Sequence, residues 1–198
     1  MPRLKICGTT HPDDARFCDQ LQVDFLGFIF HPESPRFVRY AAAEKMIQSL
    51  QHAKAVGVFV HQPAEEIVQI ARDLNLWGVQ IYQDMVFEAS EFKVIRVQRM
   101  RGAQDLPQLA RLQQSRAQDY ILVDAYHEQQ YGGTGQRFDW DILPADLSNI
   151  FLAGGITIAD IDRLKALQPF AIDLVSGVES SPGRKDFAKL EALVARLK

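Results

Sequence analysis

Cysteine is scarce in this 198-residue chain, and no metal-binding pattern accompanies it. Cys7 and Cys18 are the two cysteines, too few for a disulfide framework in a chain of this length. No C-x-x-C or H-E-x-x-H motif occurs, and the five histidines form no cluster with ligand spacing. The sequence therefore predicts neither a disulfide framework nor a metal site.

Long apolar runs and a strong net charge are also missing. No stretch of 18 apolar residues occurs, so no membrane-spanning helix is expected. The N-terminus lacks the apolar segment of a signal peptide, which indicates a cytoplasmic protein. A net charge of -3 argues against nucleic acid or an anionic membrane as the main partner. With 47% hydrophobic residues, the composition is typical of one globular domain over residues 1–198.

Eight short apolar runs of strand type recur along the chain. They are mostly continuous rather than alternating, as is typical of parallel strands buried on both faces. Helix-type stretches separate most of them, which predicts an α/β fold. The count favours a single closed (β/α)8 TIM barrel over an open doubly wound sheet, which would need a G-x-G-x-x-G turn that is absent. The runs cover residues 4–7, 25–30, 55–60, 78–82, 94–97, 120–124, 150–153 and 172–175.

The stretches between these runs carry the signals of helices. Pro12, Asp13 and Asp14 are suited to the first turn of a helix after the first strand. Thr157 and Asp160 predict a capping box, while residues 85–90 have room for only about a turn of helix. Further helices are predicted over residues 41–50, 63–74, 105–113, 157–167 and 186–197.

Candidate functional residues fall at the predicted carboxyl ends of the strands, where barrels of this type place their active groups. Cys7 ends the first strand and Asp124 the sixth, while Arg36 lies in the loop after the second. Small residues follow the seventh and eighth strands, where barrels commonly bind phosphate through backbone N–H groups. Those residues are Gly154, Gly155, Ser176 and Gly177. Both loops agree, so a phosphate site is favoured over tight turns alone.

Each of the polar candidates also has a structural interpretation. Cys7 could be a small core side chain, and Cys18, on the apolar face of a helix, is interpreted as one. Asp124 is a lone acid that ends an apolar strand, so it must be hydrogen-bonded, paired or functional. Arg36 is either a surface guanidinium or a fork for a carboxylate.

An ordered set of motifs resembles the phosphoribosylanthranilate isomerase family from one end of the chain to the other. Each motif is short, but their combined order is specific. The motifs lie at residues 5–9, 27–30 with 34–36, 56–59, 79–80, 132–135 with 138–140, 152–155, and 173–179 followed by 182–183 and 185–186.

The resemblance implies a cofactor-free Amadori rearrangement in tryptophan biosynthesis. N-(5-phosphoribosyl)anthranilate would become 1-(2-carboxyphenylamino)-1-deoxyribulose 5-phosphate. By this resemblance Asp124 is the general acid that opens the furanose ring, and Cys7 is the general base that removes the C2 proton. Arg36 would bind the anthranilate carboxylate and Asp173 the sugar hydroxyls or the amine. The phosphate would be held by Gly154, Gly155, Ser176 and Gly177, and residues 132–135 would belong to a mobile loop over the site.

The chain departs from the family pattern after the fourth strand. Ile81-Tyr82-Gln83 stands where the family usually has Leu-His-Gly. Tyrosine keeps an aromatic face and a hydroxyl but carries no charge near neutral pH, so Tyr82 is interpreted as a residue that packs against the anthranilate ring. Val175 also replaces a small polar residue.

As an isomerase, the protein is expected to be a monomer or a homodimer. Two other functions are alternatives to the isomerase. Tyr82 would suit a phosphoribosyl-ligand binding barrel with lapsed or altered activity. A different phosphosugar enzyme, such as an epimerase or an isomerase shared with histidine synthesis, is the other alternative. Histidine-pathway isomerases of this fold resemble the chain less, because they generally have aspartate in place of Cys7.

Overall fold

Eight parallel strands form a closed barrel in the computed structural model, which describes residues 1–87, 92–126 and 138–198. Each strand pairs with the next along the chain, and β8 closes the barrel by pairing with β1. The predicted (β/α)8 fold class is confirmed. The strands are β1 (Arg3–Ile6), β2 (Phe25–Ile29), β3 (Lys54–Phe59), β4 (Gly78–Ile81), β5 (Lys93–Met100), β6 (Tyr120–Ala125), β7 (Ile150–Leu152) and β8 (Ala171–Leu174).

Strand β5 is the one whose extent the sequence predicts least well. It runs to Met100, whereas the apolar run predicts an end at residue 97. Arg96 and Gln98 interrupt the apolar pattern, yet both side chains are buried. Arg96 is paired there, because its Nε donates to Asp119 at 2.7 Å. A paired cation inside a strand leaves no apolar signal in the sequence.

Six α-helices occur in the described residues, after β1, β2, β3, β5, β7 and β8. The predicted capping box of Thr157 and Asp160 is present at the start of the helix after β7. Residues 85–87 form no helix, and the rest of the predicted 85–90 turn lies outside the described residues. No helix in the described part of the chain is long and apolar enough to cross a membrane. The helices are α1 (Pro12–Gln20), α2 (Tyr40–Gln48), α3 (Ala64–Asp73), α4 (Leu106–Ser115), α5 (Ile161–Leu167) and α6 (Phe187–Leu197).

Aromatic rings fill the amino-terminal end of the barrel. Phe25 and Phe151 pack inside it with ring centroids 5.5 Å apart, and Phe170 lies 5.2 Å from Phe151. Trp77 and Tyr120 complete this aromatic plug. Buried polar side chains lie further along the strands, including those of Gln80, Asp124 and Asp173. The barrel therefore has an apolar floor and a polar mouth, as is expected when the active groups lie at the carboxyl ends of the strands.

A short hairpin after β8 folds back against the end of β1. Its strands are β9 (Glu179–Ser181) and β10 (Arg184–Lys185). The Thr10 hydroxyl donates to the Gly183 carbonyl at 2.6 Å, and the Lys185 N–H donates to Asp14 at 2.9 Å. These contacts hold Glu179 and Lys185 beside the loop that follows Cys7.

Candidate active site

A cavity of about 320 Å³ lies at the carboxyl ends of the barrel strands. All eight residues that the sequence predicts for the site line this cavity, although they come from five different strands and the loops that follow them. Their individual roles stay predictions, while their convergence is observed. They are Cys7, Arg36, Asp124, Gly154, Gly155, Asp173, Ser176 and Gly177.

Cys7 follows β1 and is only 3% exposed. Its thiol fits against Gly27 of β2, where an added Cβ would lie 2.5 Å from Sγ. Burial raises the pKa of the Cys7 thiol above its ordinary value, an effect opposed chiefly by the ammonium group of Lys5 and further by that of Lys185. The thiol is thus protected from bulk solvent but lies close to two cations that favour its ionised form.

Asp124 lies in β6 with its side chain buried. One carboxyl oxygen accepts a hydrogen bond from the Ala125 N–H at 2.8 Å. Burial, reinforced by the neighbouring Asp173, raises the pKa of Asp124 from 3.8 to about 6. Roughly a tenth of the molecules would therefore hold the proton at pH 7, which gives the carboxyl a usable acid form.

Asp173 and Lys5 form a buried ion pair across β8 and β1. The Lys5 Nζ lies 2.9 Å from Asp173 Oδ1 and also donates to Gln80 Oε1 at 3.0 Å. Burial raises the pKa of Asp173, and Lys5 opposes that rise. The network joins β1, β4 and β8 beneath the cavity.

Arg36 is a buried, paired guanidinium rather than a surface one. Its Nε donates to Glu179 at 2.9 Å and its Nη2 donates to the same carboxylate at 2.8 Å. Burial would raise the pKa of Glu179, but the hydrogen bonds from Arg36 and the charge of Lys185 hold it below its usual range. Arg36 and Lys185 share this one carboxylate, so these three groups together carry a net positive charge.

The Arg36 side chain lies across Gly8, which has a φ of +73°. A Cβ at that position would approach Arg36 Cδ to 2.6 Å. Glycine is therefore required there both for the backbone conformation and for the passage of the arginine.

The wall formed by the loops after β7 and β8 is largely backbone. Gly154 and Gly155 have φ values of +93° and +59°, and Ser176–Val178 forms a 3₁₀ turn. An alanine methyl at Gly177 would overlap the carbonyl oxygen of Ile156, so the two loops pack backbone against backbone. Because glycine has no side chain, an anion in the cavity can approach the main-chain groups of these loops closely.

Comparison with known proteins agrees with this arrangement. The sequence model of the family described as N-(5'phosphoribosyl)anthranilate (PRA) isomerase matches residues 4–196. The chain belongs to the phosphoribosylanthranilate isomerase family. An N-(5'-phosphoribosyl)anthranilate isomerase from Geobacter metallireducens is 38% identical, covering 100% of both chains.

Solved structures of phosphoribosylanthranilate isomerases have the same fold as this chain. The enzyme from Thermotoga maritima has a TM-score of 0.88 at 29% identity and covers 100% of this chain and 98% of its own. A phosphoribosyl anthranilate isomerase in complex with reduced 1-(o-carboxyphenylamino)-1-deoxyribulose 5-phosphate has a TM-score of 0.81 at 26% identity, with the same coverage. The family predicted from the ordered motifs is thereby confirmed.

Tyr82, which departs from the phosphoribosylanthranilate isomerase pattern, lines the cavity. Its side chain hydrogen-bonds with Gln80, and burial together with the nearby Asp124 raises the pKa of Tyr82 well above its ordinary value. The phenol is therefore neutral near pH 7. Its contact with an anthranilate ring stays a prediction.

Four polar residues that organise the site have no role among the predictions from the sequence. Lys5 and Gln80 lie inside strands, and Glu179 and Lys185 lie on the hairpin. A charged residue in the otherwise apolar predicted run at residues 4–7 is the signal that could have identified Lys5. The predicted mobile loop at residues 132–135 lies outside the described residues.

Proposed function

We propose that this protein catalyses the Amadori rearrangement of N-(5-phosphoribosyl)anthranilate to 1-(2-carboxyphenylamino)-1-deoxyribulose 5-phosphate in tryptophan biosynthesis. The observation that carries the proposal is the pairing of Cys7 with Asp124 in one cavity of a member of this family. One group can supply a proton and the other can remove one, and an aldose-to-ketose isomerisation needs both.

Asp124 acts first in this scheme, as the general acid. Its protonated carboxyl donates to the furanose ring oxygen while the bond between that oxygen and C1 breaks. The lone pair of the anilino nitrogen forms a Schiff base with C1. Because the Asp124 pKa lies at about 6, the carboxyl can both hold the proton and release it near neutral pH.

Cys7 acts second, as the general base. Its thiolate removes the proton on C2, and the electron pair of that C–H bond becomes the C1–C2 double bond of an enolamine. The enolamine then takes up a proton at C1 and loses the hydroxyl proton at C2, which yields the ketone. No net oxidation occurs, so the scheme requires no cofactor.

The remaining cavity residues bind the two ends of the substrate in this proposal. The anthranilate carboxylate pairs with Arg36, whose Nη1 has no acceptor among the described residues. The phosphate lies against Gly154, Gly155, Ser176 and Gly177, and Asp173 contacts the sugar hydroxyls or the amine. We further propose that the chain acts in the cytoplasm as a monomer or homodimer, with residues 1–198 as one domain.

The test is an isomerase assay on the purified protein that follows the loss of substrate fluorescence. We expect Cys7→Ala and Asp124→Asn each to lower kcat by about 10²- to 10⁴-fold while KM changes only a few-fold, because each removes one proton transfer. Cys18→Ala is the matched control, since Cys18 is a buried residue of α1 and does not line the cavity.

Near-normal kcat in Cys7→Ala or Asp124→Asn would remove that residue from its role. A wild-type protein that binds a reduced product analogue but turns over no substrate would instead favour the binding barrel with lapsed activity. Tyr82, in place of the family's usual histidine, is the observation that makes this second outcome worth measuring.

A further inference from the structure

Lys5 places an ammonium group inside the barrel, directly beneath the cavity. Its side chain has no solvent exposure. Lys5 and Cys7 are two residues apart on one strand and its end, so their side chains point to the same side of the barrel wall. A buried ammonium is unfavourable unless every donor finds an acceptor, and Lys5 therefore needs an explanation beyond packing.

Two side-chain oxygens accept hydrogen bonds from this ammonium. Asp173 Oδ1 accepts at 2.9 Å and Gln80 Oε1 at 3.0 Å. The Cys7 thiol lies near enough for the charge of Lys5 to oppose the rise in the Cys7 pKa that burial causes. Two acceptors on opposite strands thus fix the ammonium in place, on the same side of the barrel wall as the Cys7 thiol.

The other groups near Cys7 are less suited than Lys5 to stabilising a thiolate there. The Lys185 Nζ donates to the Cys7 backbone carbonyl at 2.6 Å, not to the thiol, and its charge is shared with Glu179 at 3.1 Å. The carboxylate of Asp173 disfavours the thiolate. Tyr82 also interacts electrostatically with Cys7, but burial raises the pKa of its phenol well above the ordinary value, so the phenol is neutral.

We propose that Lys5 is a positioning residue that stabilises the Cys7 thiolate at the cavity floor, held in place by Asp173 and Gln80. Its catalytic consequence rests on the proposed role of Cys7 as the general base. The electrostatic effect of Lys5 on Cys7 does not depend on that role, because a thiolate beside a fixed ammonium is stabilised whatever reaction follows.

The test measures the ionisation of Cys7 without using the isomerase reaction. Iodoacetamide is uncharged, so its alkylation of the Cys7 peptide, followed by mass spectrometry at a series of pH values, reports the thiolate fraction. We expect Lys5→Met to raise the midpoint of this profile by about one to three pH units, which is the usual effect of removing an opposite charge next to a titrating group. Cys18 in the same digest is the internal control, and its profile should not change.

Lys5→Met leaves Asp173 buried without its partner and could impair folding. The comparison is therefore repeated between Asp173→Asn and Lys5→Met/Asp173→Asn, where no carboxylate is left unpaired. The double variant should show the same upward shift relative to Asp173→Asn. Its kcat/KM should be lower than that of Asp173→Asn at pH 7 and approach it as the pH is raised, because alkali restores the thiolate.

Unchanged midpoints in both comparisons would overturn the proposal, as would a loss of kcat/KM in the double variant that alkali does not restore. These outcomes differ from a failure of the proposed function. If Lys5→Met shifts the thiol but Cys7→Ala keeps full activity, the electrostatic role stands and the general base lies elsewhere.

Discussion

At the residue scale, the buried carboxyl of Asp124 lowers the free energy of unfolding when it is ionised. A carboxyl whose pKa is raised in the folded state binds its proton more tightly there than in the unfolded chain. Below about pH 4 both states are protonated, and ionisation makes no difference between them. As the pH rises from about 4 to about 6, only the unfolded state ionises readily, so the free energy of unfolding falls. Above about pH 6 the loss is complete.

We predict that Asp124→Asn stabilises the protein in a pH-dependent manner. A pKa raised from 3.8 to about 6 corresponds to about 3 kcal/mol, which the neutral amide avoids while its oxygen still accepts from the Ala125 N–H. Denaturant unfolding of both proteins should show equal stability near pH 4 and a gain of up to about 3 kcal/mol for the variant at pH 8. A gain that is the same at both pH values would show that ionisation of Asp124 is not the cause of the lower stability.

At the scale of elements, the loops after β7 and β8 form one wall of the cavity. Gly177→Ala would place a methyl against the Ile156 carbonyl oxygen, and backbone can only yield by moving the two loops apart. Overpacking of this kind costs about 1–3 kcal/mol. We predict a KM increase of about 5- to 150-fold and a comparable weakening of competitive inhibition by inorganic phosphate.

Gly102→Ala is the matched control for this prediction. An added Cβ there would meet only the flexible Gln104 side chain, and Gly102 does not line the cavity. Its KM and its inhibition by phosphate should match those of the parent. If Gly177→Ala also binds phosphate normally, the anion does not lie against this wall.

The strands and most helices could be predicted because their signals are local. A continuous apolar run identifies a buried parallel strand, and Thr157 with Asp160 identifies a helix start. The ends of those strands then indicate Cys7 and Asp124 as neighbours at one mouth. These inferences need only the alternation of elements along the chain.

The partners of the site residues could not be predicted, because they depend on contacts between distant elements. Glu179 meets Arg36 from 143 positions away, and Lys5 meets Asp173 from 168 positions away. The space that Gly27 leaves for the Cys7 thiol likewise depends on the register between two strands. Nothing in the local sequence around either residue contains that information.

At the scale of the whole molecule, the residues that stabilise the fold and the residues of the active site lie at opposite ends of the barrel. The aromatic plug around Phe25 and Phe151 closes the amino-terminal end, with the Arg3 guanidinium 4.4 Å above the Phe170 ring. The cavity with Cys7 and Asp124 lies at the other end. Changes in the plug should therefore affect folding far more than catalysis.

Phe151→Ala tests this separation. Phe151 has no solvent exposure and packs against Phe25, Tyr120 and Phe170, so its truncation leaves a cavity that its rigid neighbours cannot fill. We predict a loss of about 3–5 kcal/mol in the free energy of unfolding, with kcat and KM unchanged within a few-fold at a temperature where the variant is folded. Phe187→Ala, at a ring that is 38% exposed, should lose less stability. A large fall in kcat for folded Phe151→Ala would mean that the plug also holds the catalytic groups in position.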